Sequence, residues 1–329
     1  MVVSAYYAAR HRHSDRDLWR NRLAAGEIHC NGVPIVREVP LAAGDRLAWH
    51  RPPWLEEAVP AAWGVVFDDG DLQVIDKPAG LPVLPAGGWL EHTALRLLEQ
   101  RHAADPRGIP RPVHRLGRFT SGLLVCARQP ATRAWLSARL RESTAAGLAV
   151  SSAPAASAPA GPAGAGRDRC SCRKRYRALL VPGVLPLAPG QALAIHTPIA
   201  RCPHPQLGAI WCAAAGGGSG ELAAASRLTL LERGAAADLV EVAIASGRPH
   251  QIRIHCAAIG APLLGDPLYR PGGVADPAAR PGDGGYALQA WQLELLLPSG
   301  APLTLTVPDP LGLATPPPAA APPGQGPPP

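Results

Sequence analysis

Val113-His114-Arg115-Leu116-Gly117-Arg118-Phe119-Thr120-Ser121-Gly122 is the stretch from which the rest of this chain is read. It is a turn rich in glycine and hydroxyl groups, with Arg115 and Arg118 set in it. Thr120 and Ser121 can hydrogen-bond the loop itself. Residues 121–127 follow as an apolar run of strand length, expected to be a buried strand, and 131–142 read as a basic helix.

Working toward the N-terminus, residues 91–101 read as a helix. Val65-Val66-Phe67, a turn over 68–71 and a second apolar run over 72–75 read as a hairpin. Pro52-Pro53-Trp54 and Val59-Pro60 form a linker. Ahead of it, Ser14 is expected to cap a helix over 15–24 that Gly26 stops, and Asn31-Gly32 joins two short strands. Toward the C-terminus, strand-like runs cover 176–181, 226–232, 239–245, 289–297 and 303–307. A helix over 250–259 would begin beside Pro249, a comfortable first helical residue, and bury Ile252, Cys256 and Ile259. Many strands and few helices predict an α+β fold with a mostly antiparallel, mixed sheet.

Of 329 residues, 39 are proline and 35 glycine, well above ordinary usage. Much of that excess falls in 143–169 and 309–329, which lack bulky side chains and are expected to be disordered. The expected organisation is therefore a small module over 1–52, a linker over 53–62, a large domain over 63–308 carrying the 143–169 insert, and a Pro-rich tail. Lys plus Arg number 32 against 25 Asp plus Glu, a net charge of +7 that favours a polyanionic partner such as nucleic acid. Seven scattered cysteines, an odd number, predict reduced thiols and an intracellular location. No apolar run approaches membrane-spanning length, and the N-terminus does not read as a secretory signal. His11-x-His13, Cys170-x-Cys172 and the His250/His255/Cys256 group lack the paired spacing of zinc sites, so no metal is expected.

Four segments, in order, carry a family resemblance. They are 74–83 (Val-Ile-Asp-Lys-Pro-Ala-Gly-Leu-Pro-Val), 114–122, 173–179 (Arg-Lys-Arg-Tyr-Arg-Ala-Leu), and 246–255 (Ser-Gly-Arg-Pro-His-Gln-Ile-Arg-Ile-His) with its continuation through Gly265-Asp266 to Tyr269. Together they resemble the motifs of the RluA-type RNA pseudouridine synthases over about residues 63–308. Residues 14–50 are similar to the small ribosomal-protein-type RNA-binding module often fused ahead of that domain.

The resemblance implies isomerisation of uridine in RNA. The N-glycosidic bond breaks, and the free base turns and rejoins through carbon, without redox or metal chemistry and so without a cofactor. The base must leave its stack and enter a pocket. The resemblance assigns Arg253 as the active-site cation and Tyr176 as the ring stacking on the uracil, both lining one notch. It assigns Arg115 to base displacement or a neighbouring phosphate; RNA contact is expected of Arg118, Arg248, His250 and Gln251, and Lys77 reads as a lysine that either contacts RNA phosphate or packs. Arg101, Arg107, Arg111, Arg118, Arg128, Arg133, Arg139 and Arg141 crowd the central motif and are expected to neutralise phosphates. Few aromatics argue against a long single-strand platform. A monomer is expected.

Gly117 falls where that family has its nucleophilic aspartate. It leaves no side chain to attack, and a buried Arg253 without a counter-ion would be costly. Asp76 or Asp266 could supply the carboxylate. The alternative is an RNA-binding or RNA-remodelling protein that keeps the pocket without the chemistry.

Overall fold

A computed structural model describes residues 1–11, 14–53, 55–86, 88–151, 172–244 and 247–308, the side chains of 141–151 excepted. Most of the insert expected to be disordered (152–169), Cys170 and the Pro-rich tail over 309–329 lie outside the described residues. The chain divides into two compact units, Met1–Leu55 with Cys202–Ile210, and Glu56–Arg201 with Trp211–Pro329.

The first unit contains α1 (Val3–Arg10), α2 (Arg16–Ala24), β1 (Ile28–Cys30), β2 (Val33–Ile35) and β3 (Leu47–Trp49), the strands in the order β2-β1-β3. Asp15, rather than the expected Ser14, caps α2 by accepting from the Leu18 amide at 2.8 Å. Ser14 instead accepts from the Arg22 guanidinium at 3.0 Å. Gly26, at φ +74, ends the helix. Its amide donates to the Leu23 carbonyl at 2.9 Å and the Glu27 amide to the Arg22 carbonyl at 3.1 Å, the paired bonds of a Schellman end. Asn31 and Gly32 both have positive φ and join β1 to β2 as expected. The sequence reading missed α1, which has no side-chain cap. Its Val3 and Tyr7 lie one turn apart and are buried, Tyr7 stacking on Trp19 with ring centroids 4.5 Å apart.

The second unit is built from β4 (Gly64–Asp68), β5 (Leu72–Lys77), α3 (Ala94–Arg101), β6 (Arg111–Pro112), β7 (Thr120–Ala127), α4 (Pro130–Ser151), β8 (Cys172–Leu180) and β9 (Ala192–Ile195). β10 (Ile199–His204) and β11 (Gly208–Ala213) form a separate hairpin, whose residues 202–210 are counted with the first unit. Then come β12 (Ser226–Arg233), β13 (Asp238–Ile244), α5 (Gln251–Ala258), β14 (Tyr269–Arg270), β15 (Val274–Ala275), β16 (Leu288–Leu296) and β17 (Pro302–Thr306). A ten-stranded sheet runs β4-β5-β7-β16-β8-β13-β12-β9, with β17 added on β16 and β6 on β7. Among its pairs only β7 with β16 is parallel, so the sheet is mixed and the fold α+β. The helix expected over 131–142 continues as α4 to Ser151, into the segment expected to be disordered.

Period-two alternation sorts this sheet's faces. Leu72, Val74, Leu123 and Val125 pack with Leu136 of α4 on one side. Ile75, Leu124 and Cys126 pack with Leu98 of α3 and Leu116 on the other. Gly122 sets the seam between β7 and β16. At φ +95 and opposite Ala290, it leaves no room for a Cβ, which would run into the Ala290 backbone. The turn of 113–122 therefore lies directly beside the start of β16.

Candidate active site

Arg253 stands in the first turn of α5 and is 3% exposed. Its Nε donates to Asp266 Oδ2 and its NH2 to Asp266 Oδ1, both at 2.7 Å, a bidentate pair. Its NH1 donates to the Pro281 carbonyl at 3.2 Å. The guanidinium lies 4.2 Å from the Tyr286 ring centre and 5.1 Å from that of Tyr269. Burial pushes its pKa down, but the Asp266 carboxylate and the nearby phenols more than offset this and hold it above its ordinary value. The counter-ion missing at 117 is thus supplied by Asp266. That carboxylate is fully buried, and its Oδ1 also accepts from the Leu268 amide at 2.9 Å and the Tyr269 amide at 3.3 Å. It neutralises Arg253 without being presented to solvent.

Asp76 does not take that place. Alternation sends it to the face of Leu72 and Val74, away from Leu116, which packs on the Ile75 side. Burial raises its pKa.

Gly117 has no left-handed φ, so its backbone does not require glycine. Space does. A Cβ built there would fall on the Tyr286 hydroxyl and lie 3.3 Å from Thr120 Oγ1. The same hydroxyl shares a hydrogen bond with Thr120 Oγ1 at 3.4 Å, and the Tyr286 ring meets Phe119 edge-on at 5.9 Å. Tyr286 therefore touches the central turn through its oxygen and Arg253 through its ring. Sequence reasoning missed it, because it belongs to none of the four motifs.

Tyr176 of β8 pairs with Ala290 of β16 and Val242 of β13. Burial raises its pKa. It lines a cavity of about 20 Å³ with His114, Leu123 and Lys174, room for about one water. Arg253 does not line that cavity. Tyr176 leans on the cluster that holds Tyr286 and Ile252, and Arg253 lies over the Tyr286 ring.

The expected RNA contacts divide sharply. Arg115 is exposed and has no hydrogen bond or ion pair among the described residues. Its charge, after burial and Arg253, helps hold the pKa of His250 down to about 4. His250 sits at φ +54 as the N-cap of α5, so Pro249 lies before the helix rather than opening it. The Tyr269 hydroxyl donates to the Trp211 carbonyl at 2.8 Å, which makes His250 Nδ1–H the donor to that oxygen at 2.7 Å. Arg248 donates from Nε to the Ala223 carbonyl at 3.0 Å and has no carboxylate partner among the described residues. Arg118 is partly committed, with Nε on the Gly80 carbonyl at 3.1 Å and NH2 on Glu57 at 3.0 Å.

Lys77 takes the packing alternative rather than the phosphate one, and Gln251 corrects an expected RNA contact. Lys77 is 0% exposed and spends its ammonium on the carbonyls of Pro78, Leu81 and Arg118 at 2.8–3.0 Å. Burial brings its pKa down to about 7, and it cannot reach a phosphate. Gln251 is buried and donates to the Ala225 carbonyl at 2.9 Å and Ser226 Oγ at 3.0 Å. The arginine crowd is corrected too. Arg107 pairs with Asp105 and Asp68, Arg111 with Glu99, and the buried Arg128 with Asp68 and Asp105. Arg101 lies over Trp63 and Arg133 donates to a backbone carbonyl. The side chain of Arg141 lies outside the described residues. Arg128 is wholly spent inside the protein, whereas the arginines of the Arg107 and Arg111 pairs are about half exposed.

Among the described residues no group of three His, Cys, Asp or Glu side chains could hold a metal ion, and no helix is long and apolar enough to cross a membrane. No described cysteine is in a disulfide.

The family profile for RNA pseudouridylate synthase matches residues 71–146, which span β5 through most of α4 and include the central turn. An uncharacterised RNA pseudouridine synthase of Synechocystis sp. is 39% identical over 314 residues, covering 94% of this chain and 95% of the relative. The chain belongs to the RNA pseudouridine synthase family. RNA pseudouridine synthase 5 of Oryza sativa subsp. japonica is 34% identical over 321 residues, covering 85% of this chain and 75% of that one. Human RNA pseudouridylate synthase domain containing 1 shares the fold, with a TM-score of 0.50 at 20% identity over 78% of this chain and 87% of that one. Pseudouridine synthases are isomerases, and the four motifs of the family lie on β5, the 113–122 turn, β8 and α5.

Proposed function

We propose that this protein isomerises uridine to pseudouridine in RNA. The observation that carries the reading is the junction at Tyr286, where α5's buried Arg253 and the 113–122 turn meet on one aromatic side chain. A flipped uridine enters against the open side of Gly117 and Arg115, with Arg248 and His250 at the rim contacting RNA. The N1–C1′ bond breaks with its electron pair on the base. The uracil turns against the Tyr176 side of the cluster, and C5 bonds to C1′. The proton lost from C5 is balanced by one gained at N1, so nothing is consumed. Arg253, fixed by Asp266, supplies positive potential beside the departing base. The first unit serves as a small RNA-binding module, and the protein works inside the cell as a monomer. The test is incubation with uridine-containing transcripts and mapping of pseudouridine by chemical labelling. Product at defined uridines supports the reading; RNA bound without product overturns it.

A second reading rests on the saturation of Asp266. With no side chain at 117 and the Asp266 carboxylate closed from solvent, the pocket would bind and flip a nucleotide without isomerising it. The same assay separates the two.

A further inference from the structure

We infer that the Tyr286 hydroxyl is the catalytic oxygen of this enzyme, reached through the window that Gly117 leaves open; this rests on the proposed function. The inference is geometric. Gly117 is exposed and its φ is ordinary, so a Cβ there would be in the way of one atom, the Tyr286 Oη, which would have to shift. The Tyr286 side chain is 3% exposed, covered by Arg253 on its ring and by Phe119 at its edge. Its hydroxyl faces the turn and has one hydrogen-bond neighbour among the described residues, Thr120 Oγ1 at 3.4 Å. Such a long bond leaves the oxygen's remaining capacity for a ligand. A ribose seated on Gly117 would meet this oxygen first.

A phenol suits this role because its oxygen offers a lone pair without carrying a charge. As the N1–C1′ bond breaks, its pair leaves on N1 and positive charge gathers at C1′. The phenolic lone pair faces that carbon and stabilises the charge without bonding. After the base turns, the C5 π-electrons close the bond to C1′. The C5 proton passes to solvent as N1 takes one up, so atoms and charge balance and the phenol ends unchanged. Asp266 neutralises Arg253 throughout, which leaves the Tyr286 and Thr120 hydroxyls as the uncharged polar pair at the face of the turn.

The experiment compares wild type, Tyr286→Phe, Gly117→Ala and Gly117→Ala/Tyr286→Phe on unmodified ribosomal and transfer RNA transcripts, reading turnover, RNA affinity and melting temperature. Tyr286→Phe keeps the ring under Arg253 and loses one weak hydrogen bond. kcat should fall by about 100-fold or more, with RNA affinity and melting temperature near wild type. Gly117→Ala should melt lower, because its Cβ meets the hydroxyl, and the double variant should regain the melting temperature while staying inactive. A Tyr286→Phe enzyme within a few-fold of wild-type turnover overturns the inference and leaves the proposed function standing. A wild type that converts no uridine overturns both.

Discussion

Asp266 grips Arg253 with both carboxylate oxygens at 2.7 Å, in a pair almost closed from water. Two charges taken out of water cost a great deal unless they satisfy each other, and removing one leaves the other stranded. Asp266→Ala is therefore expected to destabilise the second unit by about 3–5 kcal/mol. Urea unfolding of the variant beside wild type checks this. A change under 1 kcal/mol would mean that Arg253 finds water or another partner once Asp266 is gone.

Lys77 gives a pH signature. Its pKa is about 7 in the folded protein, while an unfolded lysine titrates near 10.4. Between those values the unfolded chain holds the extra proton, so stability should rise as pH climbs from about 7 to 10, by at most about 1.4 kcal/mol per pH unit. In Lys77→Met this slope should flatten. Unfolding midpoints at pH 7 and 9 for both proteins decide the matter, and parallel slopes would contradict the assignment.

Three histidines act in a lower window. Burial is the main reason that His114, His250 and His255 are held at about 4. Unfolded histidines take up protons near 6.5, so stability should fall as pH drops from about 6.5 to 4, by roughly 1–3 kcal/mol per histidine. Asp68 belongs to a separate window. Burial opposes it, yet bonds from Arg128, the Gly70 amide and Gln73 hold it at about 2, so its contribution is lost only as pH falls below about 4 toward that value. A denaturation series from pH 7 to 4 that stays flat would contradict the buried neutral imidazoles.

Arg115 and Arg128 should behave oppositely. Arg115→Ala removes an exposed cation without an internal partner, so RNA affinity should weaken and the slope of log affinity against log salt should shrink by about 1, with melting unchanged. Arg128→Ala removes a buried guanidinium from two carboxylates, so melting should fall while the salt slope of RNA binding holds. Filter binding across a salt series, with thermal melts, distinguishes them; a loss of affinity in Arg128→Ala equal to that in Arg115→Ala would restore the arginine crowd as a phosphate surface.

The motifs made the sheet legible, since each sits where its residue types have a local task. Gly122 permits the close β7–β16 seam, and the apolar alternation of 72–75 and 123–127 sorts the two faces. The site was legible only in part. Lys77 and Gln251 look like RNA contacts in sequence because their charge or polarity is visible while their burial is not. Capping by Asp15 over Ser14 was a choice between two adjacent capable residues, decided by Arg22 drawing Ser14 away. Tyr286 carried no local signal. The one hint was indirect, in that an unusual glycine at 117 implies a neighbour filling the space, and nothing along the chain says which residue that is.

The most direct measurement uses RNA carrying tritium at uridine C5. Rejoining through that carbon expels the label, so the wild-type protein should release tritium to water in proportion to pseudouridine formed. Full retention of the label on transcripts that the protein demonstrably binds would contradict the account.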